Sequence, residues 1–175
     1  MVKSPQIFKS NITTKSLTII LLFSIFSNLL QSCSKDDDEL LPQQNITEIY
    51  LEGLEAEVVS SVNKHRASLG LKNLYPIAPA YMEAINHTNY MILQGKISHD
   101  NFDQRKANLM ATTSAKIVAE NVAAGFNNAD SVLSAWLSNP SHRKNIENPD
   151  VQFIGVSVQK DGFNRNYFTQ IFTGK

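Results

Sequence analysis

An α+β fold, with helices layered around a small antiparallel sheet, is what this sequence predicts. Three observations lead there. Apolar residues recur at helical spacing through residues 52–69 and again through 80–94. Beyond residue 150 the pattern changes to two β-branched and aromatic runs, Phe153–Val158 and Tyr167–Phe172, with the turn signal Asp161-Gly162 between them. The chain left after a polar N-terminal stretch, about 125 residues, suits one domain with one core.

The elements follow in order. Leu54, Val58, Val62 and Leu69 line one face of a first helix over 52–69, with Glu55, Glu57, Lys64 and Arg66 between them and Gly70 at its end. Pro76 and Pro79 bound a short extended segment, and Pro79 suits a first helical turn. A second helix over about 80–94 puts Met82, Ile85, Asn89 and Ile92 on one stripe and closes at Gly95. Residues 96–115 show no clear period and read as loop, with one helical turn at 104–110. Ile117–Ala123 reads as a strand. Asn127-Asn128-Ala129-Asp130 caps a helix carrying Val132, Leu133, Trp136 and Leu137, which Asn139-Pro140-Ser141 breaks. A short helix at 141–146 precedes the two strands. Helices scattered around such strands make a layered α+β structure.

The N-terminal end reads as an address. Lys3, Lys9 and Lys15 precede a nearly continuous apolar run, Leu17–Leu30, the pattern of a signal peptide over residues 1–32. As a helix that run would span roughly 21 Å, short of the ~30 Å hydrocarbon core of a bilayer. It stops at Leu30-Gln31-Ser32-Cys33, which resembles a bacterial lipobox. Cys33 is then a lipidation site and the protein's tie to a membrane; an ordinary cleavage site with an accidental cysteine is the alternative. The polar, acidic stretch that follows, over 33–49, reads as a linker with a mean reach of roughly 20 Å. The expected location is a bacterial cell envelope, facing the periplasm or the cell surface.

Composition excludes several classes of chemistry. Cys33 is the only cysteine, so the chain cannot form an internal disulfide, and a lipidated sulfur cannot be a nucleophile. Three of the 16 Lys and Arg lie in the leader, which leaves 13 against 16 acids and a net charge of −3. No basic stripe interleaved with aromatics stands out, so nucleic acid is not the expected partner.

Four histidines are present: His65, His87, His99 and His142. His65 and His87 fall on helices and read as surface or helix-packing residues. His99 and His142 fall in irregular polar sequence beside element ends, Ile97-Ser98-His99-Asp100 and Asn139-Pro140-Ser141-His142. Glu120 is a lone acid in an apolar strand. Burying it demands a positive or donor partner, a role the two histidines could fill. Trp136 reads as core. Asn121 and Gln170 read as partners for backbone groups near the sheet.

These residues also carry a resemblance. Ser98-His99-Asp100, then Ala119-Glu120-Asn121 running to Gly125, then Ala135-Trp136 running to Ser141-His142-Arg143, then Ile154-Gly155-Val156, then Thr169-Gln170-Ile171-Phe172 look like the bacterial branch of the CAP superfamily, also called SCP or the antigen 5 and pathogenesis-related-1 group. The resemblance covers about 54–173 and implies a CAP domain over 50–175. It implies a three-layer α-β-α sandwich with a cleft lined by two histidines and two acids. His99, His142 and Glu120 match three of those four; the second acid's position holds Asn139, so Asn139 and Asn121 remain as support for the cleft. Some members bind zinc or another divalent cation there, which makes His99, His142 and Glu120 candidate metal ligands and candidate catalytic residues. A hydrogen-bonded polar cluster without metal is the alternative. The function implied is a tethered binding module for a small ligand, envelope lipid or polymer, or cation; the alternative is a metal-assisted hydrolase of envelope polymer or peptide. The chain has no His-Glu-x-x-His pair and no Gly-x-Ser-x-Gly elbow to favour the second.

Overall fold

The structure is a computed structural model that describes residues 46–175. The expected signal peptide, Cys33 and most of the expected linker lie outside the described residues. Helices α1 (Gly53–Ser68), α2 (Ala78–Gln94), α3 (Phe102–Thr113), α4 (Ala129–Ser138) and α5 (Pro140–Ile146) surround strands β1 (Tyr75–Pro76), β2 (Ile117–Ala124), β3 (Val151–Lys160) and β4 (Asn166–Gly174). The sheet order is β1-β3-β4-β2. It is antiparallel except for β1, whose two residues run parallel to β3.

Strand alternation sorts the side chains into two interfaces. Ala123, Ile154, Val156, Phe168 and Phe172 face α1, α4 and α5, where they meet Val58, Val62, Val132, Trp136 and Ile146. Phe153, Val118 and Ile171 face α2 and α3, where they meet Ala80, Ala84 and Leu109. The result is a three-layer α-β-α sandwich. β4 is central and buried along its whole length. At Gly155 on β3 the α2 backbone comes so close that an added Cβ would overlap the Ala80 carbonyl and the Tyr81 nitrogen.

β2 is an edge strand, and side chains close its open side. Trp136 Nε1 donates to Val122 O at 3.2 Å, and Asn145 Nδ2 donates to Glu120 O at 3.2 Å. α5 is held in turn by Arg66, which is fully buried on α1. Its Nη1 donates to Ile146 O and Asn148 O at 2.7 and 2.9 Å, and its Nε donates to Lys72 O at 2.8 Å. The guanidinium thus satisfies the carbonyl end of one helix and two loop carbonyls with a single side chain.

Four expectations need correction. Residues 47–49 belong to the domain, not the linker: Ala78 N donates to Thr47 O and Ile49 N to Pro76 O. Leu69 lies past the end of α1 and is half exposed. The buried stripe of α2 is Ala80, Ala84, His87, Thr88 and Met91, rotated away from the expected Met82 and Asn89, which are exposed. Residues 102–113 form a three-turn helix instead of a loop with one turn. Its buried residues are Arg105, Leu109 and Thr113, four apart, and only one of the three is apolar. Hydrophobic periodicity has nothing to register on such a face.

Candidate functional site

The site wraps around the β2 edge. Glu120 points from β2 into the α2–α3 layer, where its side chain is 1% exposed. The turn between α2 and α3 brings His99 over it. α5, in the opposite layer, brings His142 around the strand, with the two imidazole centroids 6.5 Å apart and the rings inclined at 63°. His99, Glu120 and His142 are thus brought together from three separate elements.

The partner that Glu120 requires is chiefly Arg105, on α3. Its Nε donates to Oε2 and its Nη2 to Oε1, both at 2.8 Å, in a bidentate pair. His99 Nδ1 also meets Oε1 at 2.8 Å. Burial pushes the Glu120 carboxyl up, but the hydrogen bonds from His99 and Arg105, helped by the neighbouring His87 and Arg105 charges, hold it below its ordinary value. Glu120 is therefore ionised at neutral pH and can only accept. It follows that His99 Nδ1 carries the hydrogen, which leaves Nε2 with a free lone pair in the neutral ring.

His87 joins this cluster, against the surface-or-packing expectation. It is buried on α2, with Nε2 3.7 Å from Glu120 Oε1, too long for a hydrogen bond, and 2.7 Å from Ser98 O. A carbonyl only accepts, so Nε2 is the protonated nitrogen of His87. Burial is the main cause that lowers its pKa, and the ring stacks on Tyr90. The cluster is graded in exposure: Glu120 and His87 at the base, Arg105 beside them at 8%, and His99 at 49% facing solvent. His142 is half-buried, and burial followed by the charge of His99 lowers its pKa.

The two asparagines act on the backbone. Asn139 Oδ1 accepts from Ser141 N at 2.9 Å and His142 N at 3.4 Å, which caps α5 beneath His142. Asn121 faces the other layer. Its Nδ2 donates to His142 O at 3.2 Å and Gln170 Oε1 at 3.0 Å, and it accepts from Asn145 Nδ2 at 2.9 Å. Both fix where His142 stands. His65 is remote from the cluster and meets Glu147 at 2.9 Å. Among the described residues, no group of three or more His, Cys, Asp and Glu side chains is arranged to hold a metal ion.

The comparisons agree with this architecture. The model of a family described as the cysteine-rich secretory protein family, CAP, matches residues 59–172. The uncharacterized protein YkwD of Bacillus subtilis (strain 168) is 33% identical over an aligned stretch of 127 positions that covers 69% of this chain and 47% of that protein. This chain thus spans about half the length of that curated relative. Among solved structures, an outer surface protein from Borrelia burgdorferi matches with a TM-score of 0.64 at 23% identity, over 74% of this chain and 98% of that one. An extracellular protein containing a SCP domain from Bacillus anthracis matches with a TM-score of 0.59 at 25% identity, over 79% of this chain and 50% of that one.

Proposed function

The chain belongs to the CAP family, and from that premise we propose that it is an extracytoplasmic binding module whose ligand, a divalent cation or a small envelope molecule, is held at His99 and His142. The state of Glu120 carries this reading. A carboxylate that activates water needs a free oxygen and a pKa near the working pH. Glu120 has neither: Arg105 and His99 occupy its oxygens, and its pKa lies below the ordinary value. That speaks against the hydrolase alternative.

The residues fit a cation site of limited size. Imidazole nitrogen suits Zn²⁺, and a carboxylate behind a ligating histidine fixes its tautomer and orientation. Glu120 stands in that relation to His99. Its own oxygens are taken, so the protein's donors would be His99 Nε2 and a His142 ring nitrogen. When bound, a cation would supply positive charge and open positions for oxygen donors of a ligand.

The Leu30–Cys33 motif supports a lipid tie at Cys33 and a place at the cell envelope. Two structural relatives described as an outer surface protein and an extracellular protein support the same compartment. Mass spectrometry with elemental analysis on protein purified gently from its own membrane tests all of this together. The expected result is a chain beginning at acylated Cys33 with a retained metal or small molecule. An unacylated Cys33 would reject the tether. Hydrolysis of envelope polymer that stops in Glu120→Gln would reject the binding module.

A further inference from the structure

We propose that His87 and Arg105, which do not face the ligand, are positioning residues that lock His99 into the Nδ1–H tautomer and so present its Nε2 as a fixed acceptor. The proposal rests on the reading of the cluster as a binding site. It deepens that reading by naming what makes the site rigid and what chemistry it accepts.

The carbonyls of His99 and of its two chain neighbours are all tied down. Ser98 O accepts from His87 Nε2 at 2.7 Å. His99 O accepts from Phe102 N at 3.1 Å, within the turn that starts α3. Asp100 O accepts from Arg105 Nη1 at 2.7 Å. Two of these three bonds come from buried side chains of two different helices, one on each side of His99 in sequence. The same Arg105 grips both oxygens of Glu120, so the acceptor for His99 Nδ1 is fixed by the group that fixes the His99 backbone. His87, Arg105 and Glu120 thus form one unit that sets the backbone, the ring rotamer and the ring proton of an exposed histidine. A surface histidine needs none of this; two buried polar side chains committed to one loop point to a ring that must not turn.

The chemistry follows from the tautomer. A locked Nε2 lone pair receives a cation or the O–H or N–H of a ligand without reorganisation, and it cannot donate to an anion while the ring is neutral.

Nitrogen NMR of the metal-free protein reads the tautomer of each imidazole directly. The expected spectrum shows His99 as a single Nδ1–H form. His87→Phe keeps the stacking bulk but removes the donor to Ser98 O, and should yield a mixture of His99 tautomers with an affinity for zinc about 10–100-fold weaker. His87→Gln restores a donor and should recover both readouts. Arg105→Lys, which keeps charge but not the fork, should give the same mixture as His87→Phe. A wild-type His99 in the Nε2–H form would overturn the proposal. So would a His87→Phe protein with unchanged His99 resonances and unchanged zinc affinity. If the wild type shows the Nδ1–H form but takes up no zinc, the binding reading fails while the lock stands.

Discussion

The pair between Arg105 and Glu120 sets how much of the domain's stability is tied up in its site. Consider Arg105→Met, which keeps most of the stem's bulk and removes the fork. Glu120, with its side chain 1% exposed, is left with His99 Nδ1 as its one short partner. Removing one member of a buried ion pair typically costs about 3–5 kcal/mol. At roughly 3–5 °C per kcal/mol for a domain of this size, the melting temperature should fall by about 10–25 °C. The loss should depend on pH, and the sign is fixed. In the wild type the folded carboxyl is held below its ordinary value, so its contribution is present above the unfolded pKa of about 4.3 and fades as pH falls through the folded one. In the variant, burial is opposed by His99 without the Arg105 fork, so the folded pKa rises and stability is lost as pH rises through it. The deficit should therefore be large near pH 7.5 and shrink toward about pH 4.5. Glu120→Gln on top of Arg105→Met removes the stranded charge and should recover part of the loss, a coupling of about 0.5–3 kcal/mol. Thermal unfolding followed by circular dichroism at the two pH values measures the wild type, Arg105→Met, Glu120→Gln and the double variant, the four proteins the coupling requires. A variant within about 1 kcal/mol of the wild type, or an equal deficit at both pH values, would refute the reasoning.

Three further outcomes are expected. Gly155→Ala forces α2 off the sheet, and should cost about 3 kcal/mol or more in a urea titration. Asn139→Ala removes the cap on α5 and should cost about 1 kcal/mol by the same titration, whereas Asn139→Asp keeps the cap and should leave zinc affinity, measured calorimetrically, unchanged because that side chain serves the helix end. Trp136→Phe loses the bond to Val122 O on the β2 edge, and should cost about 1 kcal/mol and speed hydrogen exchange at β2 amides.

The layers were legible because their buried faces are apolar at a regular period. Val132, Leu133 and Trp136 on α4, and the alternation through β3, announce themselves. α3 was not legible for the opposite reason: its inward side chains are Arg105, Leu109 and Thr113. A buried arginine reads as surface in any pattern that counts apolar residues. The same blindness hid His87, which the α2 stripe swept aside in favour of Met82 and Asn89. One signal could have found both residues. Glu120 demands a positive or donor partner, and the half-exposed His99 alone is a weak answer to a carboxylate that is nearly fully buried. That demand makes an arginine or a third histidine on a neighbouring element an expectation in its own right. The family resemblance located His99, Glu120 and His142 but not the groups that hold them.

Calorimetric titration with zinc tests most directly whether His99 and His142 bind a ligand while Glu120 orients. One zinc per chain is the expected stoichiometry, lost in the double variant His99→Ala with His142→Ala, and retained in Glu120→Gln at about 10–100-fold weaker affinity. Zinc at 100 times its dissociation constant should then add about 2.7 kcal/mol of stability to the wild type and none to the double histidine variant. No heat of binding in the wild type, or equal binding after both histidines are removed, would contradict it.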